Sequence, residues 1–124
     1  MPNPTPDAAR AFALHWIAAW NARDLDAVLA HYREDCTFVS PFVARFADEP
    51  GGSLADKSRL RAYWTAALAA LPALHFELVD VLIGVGCITI LYRGHRGLSA
   101  EVCELDADGR VARGLALYAQ AVES

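Results

Sequence analysis

Residues 75–121 read HFELVDVLIGVGCITILYRGHRGLSAEVCELDADGRVARGLALYAQA. Four runs rich in β-branched and aromatic residues are separated there by turn signals. They are His75 to Ile83, then Gly84-Val85-Gly86; Cys87 to Arg93, then Gly94-His95-Arg96-Gly97; Leu98 to Leu105, then Asp106-Ala107-Asp108-Gly109; and Arg110 to Ala121. Turns this short fold each strand back along its predecessor, so the four are antiparallel neighbours. Two runs, CITILY and GLALYAQAV, are apolar at nearly every position. An antiparallel strand that is apolar on both faces needs cover on both. Helices can supply one cover. The other is expected from a second copy of the chain, in a homodimer joined through the outer face of the sheet.

The helices come from the N-terminal half. Thr5-Pro6-Asp7 is a helix start, with a capping hydroxyl, a proline in the first turn and an acid behind it. Phe12, Trp16 and Trp20 follow at i, i+4 and i+8, with Ala13 and Ile17 beside them, so a helix runs from Pro6 to Trp20 and stops at Asn21. Asp24 caps a short second helix, Leu25 to His31. A short strand, Thr37-Phe38-Val39-Ser40, is stopped by Pro41. Residues 43–55 hold Pro50-Gly51-Gly52 and no clear period, so Val43 to Leu54 reads as an irregular, mobile rim. A third helix begins at Asp56, places Leu60, Trp64, Leu68 and Leu71 on one face, and ends at Pro72. Three helices against one face of a sheet make an α+β fold. The whole chain, 1–124, reads as one domain with residues 1–5 as a short extended arm.

With 124 residues, 55% of them hydrophobic, a substantial core is expected. No apolar run approaches the ~20 residues of a membrane span, and no secretory leader is visible. A net charge of -4 with scattered basic residues argues against a nucleic-acid partner. Cys36, Cys87 and Cys103 are odd in number and share no metal or redox spacing, which suits reduced thiols in a cytoplasmic protein. His15, His31, His75 and His95 are dispersed, so neither a metal site nor a cofactor is expected.

The stretches AFALHWIAAWNARDLDAVLAHYREDCTFVSPF, LRAYWTAAL and ELDADGRVARGLALYAQ together resemble the SnoaL-like branch of the nuclear transport factor 2-like superfamily. The most specific parts, W-N-A-x-D-L-D and D-x-D-G-x-V, are mainly structural. The resemblance implies a cystatin-like cone, a curved antiparallel sheet wrapped round a pocket and plugged by helices. It does not name a substrate, because the superfamily holds isomerases, polyketide cyclases, dehydratases, hydrolases and non-catalytic binding modules. Laid against the ketosteroid isomerases, Trp16 stands where the oxyanion-holding tyrosine would be and Ser40 where the aspartate base would be. Glu101 matches the protonated aspartate of the oxyanion hole, Trp64 a pocket tyrosine, and Tyr32 an aromatic position. A serine is a poor base near neutral pH, so steroid isomerisation is not expected.

Strand alternation groups Ser99 with Glu101 and Cys103, Ile88 with Ile90 and Tyr92, and Gly114 with Ala116 and Tyr118. The resemblance turns these sets inward. It gives Glu101, Tyr32 and Ser40 as candidate catalytic groups, and as ligand-binding positions Trp16, Trp20, Phe38, Trp64, Leu68, Ile90, Tyr92, Ser99, Cys103, Ala116 and Tyr118. Inside an apolar cone, the Glu101 carboxyl would have a raised pKa and could donate a hydrogen bond to a developing enolate. The alternative for Glu101 is an ion pair with Arg93, Arg96 or Arg113. The expected activity is acid–base isomerisation, cyclisation or dehydration of a small hydrophobic carbonyl compound. The alternatives are a non-catalytic module for a hydrophobic ligand, or a dimeric interaction domain whose pocket is filled by its own aromatic side chains.

Overall fold

The computed structural model describes residues 3–47 and 49–119. The first two residues of the expected arm, and residues 120 and 121 of the expected last strand, lie outside this range. The Thr5 hydroxyl caps α1 (Pro6–Asn21) by accepting from the Ala8 N–H at 3.1 Å. Asp24 likewise caps α2 (Leu25–Leu29), which is shorter than the periodicity suggests. Strand β1 (Tyr32–Val39) starts at Tyr32 rather than Thr37, because Tyr32 pairs with Val111, far along the chain.

The segment expected to be irregular holds two further elements, α3 (Pro41–Phe46) and β2 (Ser53–Ala55). Ser40 caps α3, and its buried Val43 docks the helix on the core. Six residues are too few to show a period, and a helix that short depends on tertiary packing. The described residues therefore contain four helices rather than three, the last being α4 (Lys57–Ala70), capped by Asp56.

The four C-terminal strands are β3 (Glu77–Gly84), β4 (Cys87–Gly94), β5 (Gly97–Leu105) and β6 (Val111–Tyr118), antiparallel in sequence as expected. The sheet order is β2-β1-β6-β5-β4-β3. The β1–β6 pair is parallel, so the sheet is mixed and not wholly antiparallel. Two local motifs serve as braces. Asn21 bonds both backbone groups of Phe76, accepting at 2.7 Å and donating at 2.9 Å, which ties the end of α1 to the start of β3. Arg23, at φ +60, donates to the carbonyls of Leu68, Leu71 and Pro72 at the end of α4.

The inner face of the sheet and the helices bury one continuous core. The outer face is uncovered in the single chain: Leu82 is 53% exposed, Leu98 40% and Leu117 49%. Cys36 and Cys103 are buried, Cys87 is half-buried, and all three are free thiols. Among the described residues no helix is long and apolar enough to cross a membrane.

Candidate functional site

A cavity of about 630 Å³ opens between α1, α3, α4 and the inner face of the sheet. That volume suits a small organic molecule. The aromatic side chains form its walls and do not fill it. Of the positions singled out in the sequence, Trp16, Trp20, Phe38, Trp64, Tyr92, Glu101 and Tyr118 line it. Their rings interlock edge to face: the centroids of Trp20 and Trp64 are 4.9 Å apart, and those of Phe38 and Trp64 5.3 Å.

Tyr32, Leu68, Ile90, Ser99, Cys103 and Ala116 are buried behind or below this wall and are not part of the lining. Alternation along a strand gives the face but not the depth beneath the covering helix, and these side chains lie deeper. Trp16 Nε1 donates to the Tyr32 hydroxyl at 3.2 Å, and the Tyr32 ring meets Trp64 edge-on. Ser40 is 2% exposed, and its Oγ accepts from the Phe42 N–H at 3.2 Å, the capping bond of α3.

The structure adds lining residues that the sequence reading missed. Phe42, Arg45 and Phe46 come from α3, Tyr63 from α4, Phe76 from the residue just before β3, and His95 and Arg96 from the β4–β5 turn. The aromatic and cationic content of the segment around α3 was the available signal.

Glu101 sits on the β5 floor and is 3% exposed. None of the arginines considered as ion-pair partners engages it. Arg113 pairs instead with Glu104 on the opposite face, at 3.4 Å. Burial alone raises the Glu101 carboxyl from 4.5 to about 8. A Cβ added at Gly114 would lie 3.5 Å from Glu101 Oε2, so the small residue on β6 leaves room for the carboxyl. Three cavity phenols surround the acid. Burial pushes Tyr63 up to about 12, with the nearby Ser40 hydroxyl pulling down and the Glu101 charge pushing up. Tyr92 and Tyr118 are raised further, by burial and then by Glu101. All three are therefore neutral hydrogen-bond donors at any ordinary pH.

Three buried side-chain polar atoms have no hydrogen-bond partner within the described protein: Trp20 Nε1, Arg96 Nε and Glu101 Oε2. All three belong to residues that line this one cavity. An unpaired buried polar group costs about 1–3 kcal/mol, so native folds rarely keep one without a role.

Away from the cavity, the fold brings His15 and His31 together, with Nδ1 and Nε2 2.6 Å apart. Burial, then the neighbouring His15, lowers His31 to about 4, so it is neutral at the end of α2. Among the described residues no three of His, Cys, Asp and Glu gather as a metal site would require.

Residues 13–118 match the SnoaL-like domain family, and the chain belongs to that family. It is similar to a SnoaL-like protein of unknown function from Burkholderia thailandensis E264, at 43% identity and a TM-score of 0.92, covering 96% of this chain and all of that one. Two more distant structures share the fold. AclR, a candidate hydroxylase from Streptomyces galilaeus, has 17% identity and a TM-score of 0.70, covering 91% of this chain and 79% of that one. TerC, co-crystallised with polyporic acid, has 14% identity and a TM-score of 0.71, covering 92% of each chain. Other similar structures are described as cystatin-like and nuclear transport factor 2-like. No curated protein matches the chain in sequence.

Proposed function

We propose that this SnoaL-like chain binds a small, largely apolar carbonyl compound in its aromatic cavity and moves a proton on it, as an isomerase, cyclase or dehydratase does. The observation that carries this reading is Glu101, an unpaired carboxyl buried among aromatic rings. With a pKa of about 8, roughly a tenth of it is ionised at pH 7. A base poised near the working pH is effective in general acid–base catalysis.

A neutral Glu101 could itself donate to an enolate oxygen. Tyr63, Tyr92 and Tyr118 already offer neutral donors in the same cavity, which favours the base role for the carboxylate. The ionised carboxylate takes a proton from the carbon next to the carbonyl. The electron pair of the broken C–H bond becomes the C=C bond of an enolate and the carbonyl π pair moves onto oxygen, where a phenol stabilises it. Return of the proton from Glu101 to another carbon completes an isomerisation; its delivery to a β-hydroxyl, which leaves as water while the carbonyl re-forms, completes a dehydration. Tyr32 and Ser40 support this site indirectly: Tyr32 anchors Trp16, and Ser40 holds α3 and lies beside Tyr63.

The test uses β-tetralone, an acidic ketone, in deuterated buffer. The wild-type protein should accelerate deuterium uptake at the α-carbon, rising with pH through about 8, and Glu101→Gln should lose at least about 100-fold. Equal rates with the two proteins would refute Glu101 as the base.

The homodimer is a further part of the proposal. Leu82, Leu98 and Leu117 leave an apolar outer sheet face open, and interfaces of obligate dimers bury roughly 2,000 Å² or more. Three free thiols suit a reducing compartment such as the cytoplasm.

A further inference from the structure

We infer that the ligand of this cavity is an organic acid, whose carboxylate lies at the mouth against Arg96 while its carbonyl end reaches Glu101. The inference rests on the cavity being a small-molecule site, and it adds the charge of the ligand and the direction in which it lies.

The cavity has two polar poles. Glu101 forms the inner one. Arg96 and Arg45 form the outer one, together with His95 and the rings of Phe42 and Phe46. The Arg96 guanidinium lies over the Phe42 ring, 5.2 Å from its centroid, and Arg45 lies 5.0 Å from the centroid of Phe46. A guanidinium stacked on a ring keeps its planar N–H edge free for a carboxylate.

Among the described residues neither arginine has an acidic partner within ion-pair distance. Arg45 and Arg96 share this state with Arg10, Arg23, Arg93 and Arg110, and what sets them apart is that they alone of the six line the cavity. Arg96 Nε is buried without a partner as well. Among the described residues Glu101 is the one acid lining the cavity, and it does not serve the arginines either, since it is raised by burial alone. Tyr118 stands between the poles: its phenol is raised by burial and by the charge of Glu101, and lowered by that of Arg96.

A ligand spanning this arrangement needs an anion at one end, a flat apolar body and a carbonyl at the other. A carboxylate at the mouth would satisfy Arg96 Nε. A neutral ligand of the same shape would leave that group unpaired, the kind of mismatch that binding sites discriminate strongly against. The chain as a whole carries a charge of -4, so a cationic mouth is a local feature that steers anions inward against the overall sign.

The test is isothermal titration calorimetry with naphthoate and with its uncharged methyl ester. The acid should bind at least about tenfold tighter than the ester, as one charge-assisted hydrogen bond implies. Arg96→Met should remove that preference while leaving ester affinity within about twofold, which also shows that the variant is folded, and Arg96→Lys should retain part of it. Equal affinity for acid and ester, or a loss in Arg96→Met that falls on both alike, would overturn the anion site and leave the apolar cavity standing. Failure of both probes to bind the wild-type protein would overturn this inference and the cavity reading together.

Discussion

Glu101→Gln should remove most of the loss of stability on going from acidic to alkaline pH. The folded state holds this carboxyl at about 8 against an ordinary 4.5, so the native protein binds the proton more tightly than the unfolded chain does. Stability from this source is therefore complete below 4.5, declines as pH rises to about 8, and is level above that. At about 1.4 kcal/mol per pH unit, the wild type should lose about 4 kcal/mol between pH 5 and pH 9 through this group. Glutamine has nearly the same shape and no proton to lose, so the variant should lack this contribution and keep only the slopes of the other titrating groups, such as His31 below pH 6.5. For a chain of this size 1 kcal/mol is roughly 3 °C, so the two melting curves should diverge by roughly 12 °C from pH 5 to pH 9. The assay is thermal unfolding followed by circular dichroism at fixed protein concentration, because a dimer's Tm depends on it. Parallel Tm-against-pH curves for wild type and variant would show that Glu101 is solvated or ion-paired in the folded state, and the base assignment would fall with it.

Ser40→Ala removes the cap of α3 and should lower stability by about 1 kcal/mol, read as a drop of roughly 3 °C in Tm, because the Phe42 N–H loses its acceptor. His31, held near 4 by burial and by His15, contributes stability above 6.5 that is lost as pH falls toward 4. His31→Gln should flatten the acid limb of a urea-unfolding pH series, and an unchanged limb would place that titration elsewhere. Light scattering at micromolar concentration should give twice the 13.4 kDa chain mass, and Leu117→Lys, on the open sheet face, should shift it toward the single-chain value. A wild-type species of one chain mass would refute the sheet-face dimer.

The meander of the last four strands was legible because each turn carries its own chemistry, such as Asp106 accepting from the N–H groups of Asp108 and Arg110. The caps Thr5, Asp24 and Asp56 and the apolar periods of α1 and α4 are equally local, and the sequence set them within a residue or two. Strand alternation also grouped Glu101 with Ser99 and Cys103, the family resemblance turned that set inward, and all three are buried. What the sequence could not determine depends on contacts between distant segments. The parallel β1–β6 pairing lengthens the first strand, and the docking of Val43 allows a helix where the pattern showed none. Depth is the other quantity that local periodicity lacks. The family resemblance placed Tyr32 and Tyr118 in the same interior, but only the packed helices put Tyr118 on the cavity and Tyr32 behind Trp16. The cationic mouth is likewise a tertiary product: Arg45 and Arg96 are fifty-one positions apart in sequence and meet one cavity because α3 and the β4–β5 turn close over the same opening. Hydrogen bonds along the chain and side-chain periods are encoded residue by residue, whereas the shape and charge of a cavity exist only once remote elements have packed against each other.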